Sequence, residues 1–298
     1  MKILTISYPR KQSKKDNHSN IKCLEASFDT KKAQLLSLLL KTDNKEHVLI
    51  DHLANQKSSK HFLKTSGMPQ FFSEKRLNPF EKVENFWNCQ RFEILEKRGA
   101  TSIRFFLLSP PLSSKQNQIS LELTYTLNWL DHFVINYRLK ALRESPVMVP
   151  HPLFFCANEE TEMNLSTKNP TLWHEWEEKS EKNRFAYILR PISDSKAKLK
   201  REASFSMVSQ KSKITIDAYT SCQSLDCGIS KSKNKKKSFF WINAFDFYTD
   251  NIVGKAVGTS LARSDVPFRS TPQNPFTLKN GVTYSYSTLF YFRLPKSS

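Results

Sequence analysis

Along much of the chain apolar and polar residues alternate with a period of two, the pattern of strands that bury one face. The clearest run spans residues 119–127. Ile119, Leu121, Leu123, Tyr125 and Leu127 fall on one face, and Ser120, Glu122, Thr124 and Thr126 on the other. Residues 128–131 supply a turn, after which Phe133, Ile135, Tyr137 and Leu139 alternate again, so the pair predicts a β-hairpin. Runs at 103–108, 214–219 and 284–292 predict further strands of the same kind. Asn280-Gly281, between apolar-rich segments at 276–279 and 282–292, predicts a second hairpin. The leucine-rich stretch 35–40 is ambiguous by itself, but the Asp43-Asn44-Lys45 turn and the apolar residues 48–50 beyond it favour a strand. Residues 169–182, with Trp173 and Trp176 among many charges, fit either a short helix or a loop. The class is therefore all-β, a sandwich or a barrel.

Neither an internal repeat nor a linker composition divides the chain. Residues 1–20 read as a basic N-terminal arm that includes a short first strand, 21–294 as one domain, and 295–298 as a tail. A lysine-rich loop is expected at 230–238, between two strands.

With 39% hydrophobic and 12% aromatic residues among 298, the chain has enough apolar material for a substantial core. It holds only 6 glycines, so its turns must lean on Asn, Asp, Ser and Lys. Net charge is +18, which raises the question of nucleic acid or an anionic membrane. The lysines are spread over every segment, however. The dense runs at 10–15 and 231–237 lack the interleaved aromatics of a stacking platform, so specific nucleic-acid binding is not expected. Five sparse cysteines suit a reducing cytoplasm better than a disulfide scaffold. Cys222 and Cys227 have no second ligand pair nearby, and no metal site is expected. No apolar run approaches the roughly 18 residues of a membrane span, and the first residues lack the apolar core of a signal peptide.

Residues 121–156 read LELTYTLNWLDHFVINYRLKALRESPVMVPHPLFFC. A long alternating strand and its partner lead here through a proline-containing bend to His151, followed by Phe154 and Phe155. This segment resembles the central stretch of the aldose 1-epimerase (galactose mutarotase-like) family. Residues 33–38, 45–50 and the Ser66-Gly67-Met68-Pro69 loop resemble the family's opening, in which a Gly-x-Pro loop borders the site. Residues 276–284 resemble its closing "L-x-P-G-E-x-Y" segment, with Asn280 in place of the proline. The resemblance covers roughly 21–294 and implies a large β-sandwich (supersandwich).

It also implies a chemistry. Exchanging the anomers of a sugar breaks the bond between C1 and the ring oxygen. A general acid protonates that oxygen while a general base takes the C1 hydroxyl proton. In the family a histidine is the acid, a glutamate near the C-terminal end is the base, and a second histidine in an "H-G-F" loop helps hold the sugar. No cofactor is needed. The resemblance assigns the acid to His151, whose imidazole can exchange a proton near neutrality; without that resemblance the residue reads as a buried, inert histidine. The "H-G-F" loop falls at Asn78-Pro79-Phe80, where Asn78 can hydrogen-bond a hydroxyl but cannot act as an acid. Arg76 beside it reads as a sugar-binding arginine or as surface charge. The base is expected near 256–259, yet no carboxylate occurs between Asp250 and Asp265. Phe80, Trp87, Phe154 and Trp241 could stack on a sugar or fill the core. Asn243 and Asp246 could face the cleft. The expected partner is a hexose or hexose phosphate, for which two readings stand: an isomerase, or a catalytically inactive relative that binds sugar or keeps only the scaffold. A basic nucleic-acid-associated protein is a weaker third.

Overall fold

Side chains at every second position, apolar along one face, build two large antiparallel sheets that close on each other. The computed structural model describes residues 2–9, 21–43, 45–55, 67–69, 87–110, 118–128, 131–143, 145–147, 151–157, 161–165, 184–189, 203–209, 214–220, 225–231, 238–243 and 276–294. In chain order the first elements are β1 (Ile3–Pro9), β2 (Ile21–Asp29), β3 (Gln34–Thr42), β4 (Glu46–Asp51) and a single helical turn, α1 (His52–Asn55). Then come β5 (Asn88–Lys97), β6 (Ala100–Leu108), β7 (Ile119–Asn128), β8 (His132–Ala141), β9 (Ser145–Val147) and β10 (Pro152–Ala157). The remainder are β11 (Thr161–Leu165), β12 (Arg184–Leu189), β13 (Ala203–Ser209), β14 (Thr215–Thr220), β15 (Leu225–Lys231), β16 (Ser238–Asn243), β17 (Phe276–Leu278) and β18 (Thr283–Arg293).

The first sheet runs β1-β2-β3-β4-β10-β16-β15-β12, and the second β11-β13-β14-β18-β8-β7-β6-β5. The all-β class is thus observed. β7 and β8 pair from Ile119↔Ala141 to Asn128↔His132, the hairpin that the alternation predicts. Its turn ends on Asp131 with a positive φ, 62°.

The second expected hairpin is corrected. β17 pairs with β9, from Phe276↔Val147 to Leu278↔Ser145, and not with β18. Asn280-Gly281 does make a turn, with Gly281 at φ 70° and Val282 N–H donating to the Lys279 carbonyl. That turn joins strands of different sheets, a distinction that turn chemistry does not encode. β1 continues the first sheet by pairing along its length with β2, and Ile6 reaches the core.

The two sheets meet through aromatic rings. Phe28 on β2 packs against Phe105 on β6 and Tyr125 on β7, with centroids 6.0 and 4.8 Å away. Phe155 on β10 packs against Phe290 on β18 at 5.2 Å. Each such side chain, fully buried, stabilises the sandwich by about 1.5–3 kcal/mol. Trp87 is also buried and joins this core, so of the four aromatics weighed as a sugar wall it takes the core role. Among the described residues no helix is long and apolar enough to cross a membrane.

Candidate functional site

The bend after β9 brings the chain back into the first sheet, and His151 is the last residue before β10 begins. Its ring is fully buried between the sheets. Nδ1 lies 2.8 Å from the Tyr137 hydroxyl and Nε2 lies 3.1 Å from the Tyr125 hydroxyl. Both tyrosines come from the apolar face of the β7–β8 hairpin and meet the imidazole edge-on, with centroids 5.8 and 5.9 Å away. Tyr125 donates its hydroxyl proton to the Ala33 carbonyl at 3.3 Å. A neutral ring satisfies both tyrosine contacts, one nitrogen donating its N–H and the other accepting from a phenol O–H, and the Gly67 carbonyl is a further acceptor for the ring.

Electrostatics agree. Burial is the largest influence on His151 and pulls its pKa down to about 3; the Gly67 carbonyl acts the other way, and His52 adds to the lowering. Burial likewise holds Tyr125 well above the ordinary tyrosine range. At neutral pH this cluster carries no charge on the imidazole.

A second histidine stands beside the first. His52, fully buried at the start of α1, makes a 2.6 Å hydrogen bond from Nδ1 to the Leu35 carbonyl. Gly67 packs against both partners of that bond. A Cβ at Gly67 would run into the Leu35 carbonyl oxygen and His52 Nδ1, and its φ is 75°. The Gly67 carbonyl also receives Leu35 N–H at 2.7 Å. Only glycine fits, so the Gly-x-Pro loop is clamped onto β3 next to His151, and its Met68 and Pro69 are buried too.

Of the sequence-predicted site, the structure brings His151 and the Gly67 loop together. Arg76, Asn78, Phe80, Asp246 and residues 256–259 lie outside the described residues, as do Trp173, Trp176 and Cys222. The register of β10 with β16 sets Asn243 across from Pro152, one residue from His151, and Trp241 across from Phe154. Sequence reasoning missed His52, Tyr125 and Tyr137 as neighbours of His151. The tyrosines sit in phase with Leu121, Leu123, Ile135 and Leu139 and so read as apolar positions; His52, the first residue after β4, was the one visible signal. Among the described residues no group of His, Cys, Asp and Glu could hold a metal, and Cys23 and Cys89 are free thiols.

Comparison with solved structures fits this architecture. The GalM/aldose epimerase homologue from C. elegans is similar over 98% of this chain and 99% of its own length, at 11% identity and a TM-score of 0.58. A galactose mutarotase-like protein from Lactobacillus casei is similar over 98% and 100%, at 13% identity and 0.56. Galactose 1-epimerase from Lactobacillus acidophilus is similar over 98% and 99%, at 9% identity and 0.51. The chain therefore has the galactose mutarotase-like sandwich fold. No protein-family model matches it, and no curated protein is significantly similar. The likeness is one of fold, far diverged in sequence.

Proposed function

We propose that the protein is an aldose 1-epimerase-like carbohydrate-binding protein whose ligand is a hexose or hexose phosphate, met in the cytoplasm. The observation that carries this reading is the position of His151: it heads a sheet strand, beside a clamped Gly-x-Pro loop, in a fold shared with a galactose 1-epimerase along nearly the whole chain. The net charge of +18 favours the phosphorylated form of the sugar.

On turnover, the geometry favours binding without catalysis. A general acid must hold a proton it can deliver, and a ring whose pKa is about 3 holds an extra proton in only a minute fraction of molecules at neutral pH. Both ring nitrogens already face tyrosine hydroxyls. Around 256–259, where the base is expected, no carboxylate occurs between Asp250 and Asp265. A working mutarotase is the second reading, favoured by the likeness to galactose 1-epimerase; it requires the tyrosine clamp to open when sugar binds.

Freshly dissolved α-glucose, α-galactose and glucose 6-phosphate, followed by polarimetry and by NMR, separate the readings. Binding without turnover predicts a ligand-dependent rise in melting temperature and an anomer exchange rate equal to that of buffer. Accelerated exchange that His151→Ala abolishes would establish the second reading. No response to any of these sugars, in rate or in stability, would overturn the assignment to carbohydrate.

A further inference from the structure

The outward face of the second sheet carries a trough of about 550 Å³ that crosses β5, β6, β7, β8 and β18. Its floor is made of short polar side chains, Ser102, Thr124, Thr126, Asn136 and Ser287. Register sets these in rows: Ser102 lies across from Thr126, Thr124 from Asn136, and Asn136 from Ser287. Ser102 and Thr126 hydrogen-bond each other at 2.9 Å. A second hollow of about 320 Å³ adjoins the first, sharing Glu122 and Arg138, and the half-buried Phe106 forms part of its wall. Tyr137, whose hydroxyl holds His151, also borders the trough, so β8 serves both places.

The lining is cationic. Lys97, Arg104, Arg138 and Lys140 border the two hollows, against the single carboxylate of Glu122. Glu122 lies 3.3 Å from Arg104 and 3.6 Å from Arg138. Glu93, across from Arg104 on β5, meets it at 3.2 Å, so that even with this residue two carboxylates face four cations. Arg104 Nε is shielded from solvent and makes no hydrogen bond. Among the described residues Lys97 and Lys140 make no ion pair. A concave surface lined by an excess of one sign concentrates ions of the other. The cations are also spread out. Lys97 lies in the cross-strand row that ends at His132, the first residue of β8. Lys140 lies near the other end of that strand, roughly 27 Å along it at about 3.4 Å per residue.

We infer that this face binds an acidic oligosaccharide, a chain of several sugar units that carry carboxylate or sulfate groups. The inference does not rest on the role read for His151. Guanidinium and ammonium groups pair with the acidic substituents, and the guanidinium fork suits a planar carboxylate in particular. Between the cations, hydroxyl and carboxamide groups both donate and accept, as sugar hydroxyls do. The cations stand too far apart for one sugar ring to reach them all, so the ligand is a chain. Other polyanions fit less well. A nucleic acid stacks its bases on open aromatic faces, and Arg91 covers one face of Phe106, 4.0 Å from the ring centroid. An extended acidic peptide gains most by adding a strand to an open sheet edge. Here β7, at the middle of the trough, is already paired on both sides, with β6 and β8.

The test uses the full chain and calorimetry at low and high salt. Hexagalacturonate and a heparin hexasaccharide are the acidic sugars, maltohexaose is the neutral one, and oligoglutamate and oligothymidylate are polyanions of matched charge. The site predicts that at least one acidic hexasaccharide binds one to one and more weakly at high salt. It binds more tightly than maltohexaose or either matched polyanion. Lys97→Glu combined with Lys140→Glu, both exposed, weakens that binding by about tenfold or more. Lys31→Glu combined with Lys32→Glu, on the exposed turn between β2 and β3, changes the net charge equally and leaves the affinity within about twofold. Equal losses in the two double variants would overturn the proposal, as would full affinity in the first. So would no binding of either acidic hexasaccharide, or binding of maltohexaose, oligoglutamate or oligothymidylate that is as tight or tighter.

Discussion

Tyr137 on β8 and His151 at the head of β10 face each other across the interior of the sandwich, the phenol oxygen 2.8 Å from Nδ1. The contact joins the two sheets. With Tyr125 on the other nitrogen, it turns a residue type usually valued for its proton into a neutral strut.

Removing one hydroxyl should therefore be costly in stability. Tyr137→Phe takes the phenol hydroxyl away from a buried ring nitrogen and is expected to lower unfolding free energy by about 1–3 kcal/mol in denaturant titration. Tyr125→Phe also forfeits the bond to the Ala33 carbonyl and should cost at least as much. A loss under about 0.5 kcal/mol for both, the usual range for an uninvolved surface site, would contradict the strut.

Two glycines with positive φ give a contrast. Gly281→Ala meets nothing within 4 Å and bears only the backbone penalty, about 1 kcal/mol. Gly67→Ala bears that penalty and must also displace His52 and the Leu35 carbonyl. Its midpoint in urea should fall clearly further than that of Gly281→Ala; equal effects would mean that the loop is not clamped.

Acid should loosen the protein in a defined window. His151 has an ordinary pKa of 6.5 when unfolded and about 3 when folded. Above 6.5 neither state is protonated and stability is at its full value. As pH falls from 6.5 towards 3 the unfolded chain takes up a proton that the folded one refuses, so stability declines, by several kcal/mol in all, and the contribution levels off below 3. His47, also lowered by burial, acts in the same direction. Melting curves across this range should show a shallower decline for His151→Gln than for the wild type. Parallel curves would contradict a buried, neutral His151.

Much of the fold was legible because period-two alternation states both the strand and its buried face; β7 and β8 are the clear case, where Leu121 to Leu127 and Phe133 to Leu139 follow the pattern on either side of the turn. The pairing of β17 was not legible, since Asn280-Gly281 specifies a turn but not which sheet receives the strand before it. At the site, His151 stood out through its flanking prolines and phenylalanines, and Gly67 through the Gly-x-Pro spacing. Tyr125 and Tyr137 did not, because a tyrosine in an apolar register shows its ring and hides its hydroxyl. Their role emerges only when the hairpin folds over the first sheet. Asn243 is legible in the same retrospective way: nothing near it in sequence marks it, yet register sets it across from Pro152.

The central claim is that the imidazole of His151 is held neutral between two phenols. Two-bond proton–nitrogen correlation spectra of protein labelled with nitrogen-15 histidine read that state directly. The account predicts one histidine, absent from the His151→Gln spectrum, that keeps the pattern of a single neutral tautomer from neutral pH down to the onset of acid unfolding. A His151 signal that titrates near 6.5 would contradict it.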